Sequence, residues 1–214
     1  MEFDAARDAL IVVDLQRDFL PGGALAVAGG DEVVQPIARL CRRFATVVAT
    51  QDFHPIGHVS FASAHPCRQP FDQVVLHGDV QMLWPDHCVA GSAGAALDPA
   101  LPDERITLIL RKGTRVAVDS YSAFRENPDE RGRRMSTGLG AWLRDRGVER
   151  VHVVGLALDY CVQATALDAR EEGFETIVVR DLTRSVGAPD PALALLADSG
   201  VRLVESRDLV RDTK

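Results

Sequence analysis

The sequence predicts an α/β protein: a three-layer, doubly wound (Rossmann-like), mostly parallel sheet of about six strands flanked by helices. Three observations predict it. Short β-branched runs recur along the 214 residues. Most of these runs are apolar almost throughout, as strands buried on both faces are. Helix-like segments lie between most of them, so the chain alternates in the way that right-handed βαβ crossovers require.

The strands are expected at Ala9 to Asp14 ("ALIVVD"), Ala45 to Asp52 ("ATVVATQD"), Ile106 to Lys112 ("ITLILRK"), Val151 to Leu156 ("VHVVGL"), Glu175 to Val179 ("ETIVV") and Val201 to Val204 ("VRLV"). A helix is expected in "DEVVQPIARLCRRF", where Val33, Ile37, Leu40 and Phe44 share one face and Asp31 supplies the N-cap. "RRMSTGLGAWLRDRG" and "PDPALALLADSG" carry the same period, the second closing at Gly200 as C-cap. A further helix is expected to start near Asp159. From Phe53 to about Arg105 the pattern fails, and Gly, Pro and His abound. Irregular segments of that length inside a domain are usually functional. There is no internal repeat, and residues 1–214 are expected to form a single domain.

A formal charge of -7 without any Lys/Arg-rich run argues against nucleic acid as a partner, because phosphate binding needs clustered cations. A small molecule is the better expectation. The N-terminal stretch "MEFDAARDALIVVDLQRDFL" is acidic where a signal peptide would be basic, and its apolar run is too short to span a bilayer. A cytoplasmic protein with no membrane partner is therefore expected, with a homo-oligomer left open. Cys41, Cys67, Cys88 and Cys161 form no C-x-x-C pair, so neither a zinc cluster nor a disulfide framework is indicated. The first three are expected to be structural, and His65 and His77 receive no role.

In doubly wound sheets ligands bind at the carboxyl ends of the strands. Asp14, Asp52, Lys112 and the turn leading to Cys161 all fall there. Cys161 sits at the start of a helix, where free N–H groups and the helix dipole favour a thiolate. Taken alone it is as readily a small buried hydrophobe. Asp14 could take its proton, and Lys112 would hold that carboxylate ionised and favour the thiolate. Separately, Asp52 and His54 in "TQDFHPIGHVSF" lie two apart on extended chain and can converge on one point. Carboxylate plus imidazole is ligand chemistry for zinc, iron or manganese, and His87 in "WPDHCV" could add a third contact.

Five stretches in order, "VVDLQRDFLPGGALAV", "TQDFHPIGHVSFAS", "LWPDHCVAGSAGA", "RKGTRVAVDSYSAF" and "GLALDYCVQATALDA", resemble the nicotinamidases, or pyrazinamidases, of the isochorismatase-like cysteine hydrolases. They run from about residue 9 to 180, nearly the whole chain. The resemblance implies a metal-dependent amidase that converts nicotinamide to nicotinate and ammonia, and pyrazinamide to pyrazinoate, in NAD salvage. By position it implies Asp14, Lys112 and Cys161 as catalytic triad, and Asp52, His54 and His87 as ligands of one divalent metal. Zinc is the first expectation for that metal, with iron or manganese as alternatives. Relatives complete the metal shell at the place of His58 or near Ser60, and this chain has both. Phe19 and Trp84 match positions that sandwich the pyridine ring, and Tyr121 matches another pocket wall. The resemblance also implies a cis peptide before Ala157, whose N–H would join that of Cys161 in the oxyanion hole.

Two other readings compete. Metal-free relatives, such as an isochorismatase or an N-carbamoyl amide hydrolase, share the sheet but do not need the Asp52/His54 pair. A redox-sensing Cys161 would need a resolving cysteine, and none sits near it in sequence.

Overall fold

In the computed structural model, which describes residues 4–210, the six apolar runs pair into one parallel sheet. Its strands are β1 (Asp8–Val13), β2 (Thr46–Asp52), β5 (Leu108–Lys112), β6 (Arg150–Leu156), β7 (Glu175–Arg184) and β8 (Arg202–Val204). They lie in the order β5-β2-β1-β6-β7-β8. Every residue of β1 is buried, and alternate side chains serve opposite faces. Leu10 and Val12 pack with Val33, Ile37, Leu40 and Phe44 of and just beyond helix α1 (Gly30–Cys41). Ala9, Ile11 and Val13 pack against Leu139 and Leu143 of α2 (Leu139–Arg144), Ala166 and Ala169 of α3 (Gln163–Glu171) and Leu196 of α4 (Pro189–Asp198). A short α5 (Ser206–Val210) places Leu209 on the α1 side. Three layers follow from this division of one strand's residues between two cores.

From β1 the chain builds outward to β2 and β5, then crosses to β6 on the other side of β1 and builds out through β7 and β8. The carboxyl ends of β1, β2, β5 and β6 therefore meet at the point where the winding reverses, the expected place for a ligand. Gly155 makes the β1–β6 approach possible there. With φ of +110°, a Cβ on it would meet the Val13 carbonyl oxygen at 2.1 Å, so no other residue fits without moving β1.

Several local expectations differ. Helix α1 is capped by Gly29 in the left-handed conformation, and Asp31 lies inside its first turn, where its charge still suits the dipole. The helix expected throughout "RRMSTGLGAWLRDRG" is confined to α2, because Ser136 bridges Arg125 and Gly138 turns the chain at φ +87°. At the end of α4 the cap residue is Ser199, and Gly200, at φ +77°, occupies the next, left-handed position. The irregular region contains a two-stranded antiparallel hairpin, β3 (Gln73–Leu76) and β4 (Asp79–Met82), absent from the sequence reading. Its face is half solvent-exposed and its strands are short, so it carried no core-like apolar run. Among the described residues no helix is long and apolar enough to cross a membrane.

Candidate active site

Asp14 follows β1 directly, Asp52 and Lys112 end β2 and β5, and these last two are register partners across the ladder. Cys161 lies in a single π-helical turn, Leu158–Val162, that leads from β6 into α3. That turn begins after Ala157, whose carbonyl accepts from the N–H groups of Tyr160 and Val162, and the Leu156–Ala157 peptide is cis. Four strand ends thus deliver four reactive groups to one place.

Lys112 is the hub. Its Nζ is 2.8 Å from Asp14 Oδ2 and 3.3 Å from Cys161 Sγ, is hydrogen-bonded to Asp52 Oδ1, and donates to the Ser120 carbonyl at 3.2 Å. All four side chains are buried. Burial pushes the Asp14 carboxyl up to about 6, with the Asp52 charge adding and Lys112 and Thr50 opposing. Burial acts on Asp52 in the same sense, but Lys112 and His54 overcome it and hold that carboxyl well below its usual range. Lys112 stays an ammonium far above neutrality, the two aspartates outweighing its own burial. For Cys161 burial raises the thiol well above its ordinary value despite Lys112. Of the two carboxylates flanking one ammonium, Asp14 is the one poised to exchange a proton near neutral pH. Its Oδ2 makes the ion pair without satisfying hydrogen-bond geometry, while Oδ1 accepts from Thr50 Oγ1 at 2.6 Å.

The metal-like group lies alongside. Single donor atoms of Asp52, His54 and His87 all fall within 4.8 Å of one another. His54 Nδ1 faces the Gly113 carbonyl at 3.0 Å, and His87 Nδ1 faces the Pro85 carbonyl at 2.8 Å. Each Nδ1–H is therefore spent on backbone, and Nε2 is the ring nitrogen left to face a cation; in His54, which the Asp52 carboxylate raises above the usual imidazole value despite burial, a metal would displace the Nε2 proton. His54 Nε2 is 3.7 Å from Asp52 Oδ2. Burial and the neighbouring His54 lower His87 to about 4, so it is a neutral imidazole at neutral pH. One carboxylate and two preset imidazoles suit a divalent transition metal. His58 and Ser60 are bonded to each other, Nδ1 to Oγ at 2.8 Å, and His58 Nε2 faces the Val118 carbonyl at 3.2 Å. His58 falls in an adjoining group with His54 and Asp119.

Gly113, directly after Lys112 and at φ +63°, backs the metal-like group: a Cβ there would meet His54 Cε1 at 2.3 Å.

Both groups open onto one pocket, whose wall also includes Phe19, Trp84, Tyr121 and Ala157. Phe19, Trp84 and Tyr121, the three aromatic residues expected at the substrate, thus border the same space as Cys161. His65 and His77 bond to the carbonyls of Val59 and Ala117, away from it. Cys41 and Cys88 are buried and Cys67 is exposed, so Cys67 is not a packing residue.

Several contributors escaped the sequence reading. Gln16 bonds both ways to the Asp52 backbone, and Thr50 holds Asp14 through both its N–H and its carboxylate. Asp119 and Tyr160 border the pocket. Asp18 Oδ2 accepts the Cys88 N–H at 2.7 Å and so anchors the loop that carries His87. Gln16, Asp18 and Asp119 lie inside the quoted motifs; their polarity within buried stretches was the available signal.

Comparison with known proteins adds four likenesses. The family model described as the Isochorismatase domain matches residues 8–207. The nicotinamidase of Acinetobacter baylyi is 45% identical over 205 residues, covering 94% of each chain. Among solved structures, PnC1 from L. infantum in complex with nicotinate is 40% identical with a TM-score of 0.83, covering 97% of this chain and 96% of that one. A pyrazinamidase of Pyrococcus horikoshii in complex with zinc is 36% identical with a TM-score of 0.76, covering 93% of this chain and 99% of that one.

Proposed function

The chain belongs to the isochorismatase-domain family, and from that premise we propose that it is a metal-dependent nicotinamidase, hydrolysing nicotinamide to nicotinate and ammonia through a Cys161 thioester. Pyrazinamide would be hydrolysed to pyrazinoate by the same steps. NAD salvage in the cytoplasm is the corresponding role, carried out by residues 1–214 as one domain. The observation that carries the reading is Lys112 Nζ within 2.8 Å of Asp14 and 3.3 Å of Cys161, beside a pocket that also holds Asp52, His54 and His87.

Asp52, His54 and His87 would hold the metal, taken as zinc, which would anchor and polarise the heteroaromatic substrate. The chain's own residues do the rest. Phe19 and Trp84 flank the ring, and Asp14 takes the thiol proton of Cys161. Lys112 assists through its charge alone, stabilising carboxylate and thiolate in turn. The thiolate attacks the carboxamide carbon, and the backbone N–H groups of Ala157 and Cys161 receive the oxyanion. Loss of one such donor typically costs about 3 to 4 kcal/mol of transition-state stabilisation. Asp14 protonates the departing ammonia, and the acyl group stays on sulfur. Asp14, a carboxylate again, then takes a proton from water as it attacks the thioester, and nicotinate leaves as the thiol is restored.

Cys161→Ala tests the nucleophile: the variant should retain metal and release no ammonia from nicotinamide, and appreciable turnover would sink the assignment. Asp52→Ala combined with His54→Ala should lose metal and activity together. An unchanged metal content would remove that site from the scheme.

A further inference from the structure

The hairpin β3–β4 stands outside the main sheet, and its cross-strand pair Val75 and Val80 is exposed. The one buried side chain of the hairpin strands is polar: Gln81. A buried amide away from water needs partners, and in Gln81 the two N–H protons are shared among three oxygens. Its Nε2 lies 2.8 Å from Asp119 Oδ2, 2.8 Å from the Met82 carbonyl and 2.9 Å from the Tyr121 hydroxyl. Carboxylate and carbonyl only accept, so the nitrogen of the amide must face this cluster, and Asp119 determines which way Gln81 is turned. The Trp84 indole N–H approaches the same hydroxyl at 3.3 Å.

Neither an amide nitrogen nor an indole N–H accepts a hydrogen bond. The Tyr121 oxygen is therefore an acceptor toward both, and its own proton has to be donated elsewhere. Among the described residues no hydrogen bond is donated by this phenol, which borders the pocket together with Cys161, Ala157 and His87. The tip of the hairpin is tied to the same segment, His77 Nε2 meeting the Ala117 carbonyl at 2.9 Å two residues before Asp119.

We propose that Gln81, oriented by Asp119, is a positioning residue that makes the Tyr121 phenol a hydrogen-bond donor to the bound aromatic amide. The inference rests on the amidase reading above and deepens it. The hairpin then has a function: it delivers one buried amide that decides which way a pocket hydroxyl points.

The experiment measures kcat, KM, metal content and thermal midpoint for wild type, Gln81→Met, Tyr121→Phe and the double variant with nicotinamide. Each single variant should raise KM about five- to tenfold, the worth of one neutral hydrogen bond, with kcat little changed and metal content intact. The double variant should match Tyr121→Phe alone, because Gln81 acts only through that hydroxyl. Gln81→Glu keeps the size but offers a carboxylate that captures the phenol proton, so it should raise KM as well even where Gln81→Met fails to fold. A double variant whose KM rise is the product of the singles, or a wild-type KM in Tyr121→Phe, would overturn the inference. A wild type that releases no ammonia would overturn the amidase reading itself, and is seen before any variant is compared.

Discussion

Thr50→Val removes one oxygen and almost no volume from beside Asp14, which makes it a sharp probe of the proposed base. Thr50 Oγ1 donates to Asp14 Oδ1 at 2.6 Å and accepts the Asp14 N–H at 3.0 Å, and both residues are fully buried. A hydrogen bond to a charged group is worth about 1.5 to 3 kcal/mol, and one pKa unit is about 1.4 kcal/mol. The Asp14 carboxyl, at about 6 with the bond in place, should therefore rise by about 1 to 2 units without it. The sign follows from the role: the base must be ionised, so kcat/KM is lost as pH falls through this value. Wild type should show an acid limb near pH 6, and Thr50→Val should move that limb to about 7 to 8. Ammonia release measured across pH, with metal content checked at each end, reads the shift. A limb that stays in place would refute Asp14 as the titrating base, or Thr50 as its support.

Gly113→Ala should place a methyl group against the His54 ring, where an ideal Cβ would be 2.3 Å from Cε1. Competition titration with a chelator should show metal affinity reduced about tenfold or more, and wild-type affinity would contradict the placement of His54. Lys112→Met leaves Asp14 and Asp52 buried without their shared cation. Thermal or urea unfolding should register about 3 to 5 kcal/mol of lost stability, together with loss of ammonia release. Chelation of the wild type should abolish turnover, and added zinc should restore it.

Much of the fold was legible because each strand of the main sheet announces itself chemically. "ALIVVD" and "VHVVGL" are buried on both faces, so packing admits little beyond Ala, Val, Ile and Leu. Asp14, Asp52 and Lys112 were legible for the opposite reason, as charges that end such runs. The hairpin was hidden because its strands are short and its pattern is inverted, with Val75 and Val80 facing outward and the polar Gln81 facing in, so no apolar face marks it. Gln81 and Thr50 were hidden because their value lies in partners distant in sequence, Asp119 and Asp14. His54 and His87 could be picked out as donors, but the carbonyls of Gly113 and Pro85 that turn their rings come only with the fold.

The central claim is covalent chemistry at Cys161, and its most direct test is to catch the acyl group. Protein mixed with nicotinamide and quenched in acid within a turnover should yield, by peptide mass spectrometry, a nicotinoyl thioester on the Cys161 peptide. The adduct should be absent from Cys161→Ala. An active enzyme that carries no adduct under these conditions, or carries one on another residue, would contradict the account.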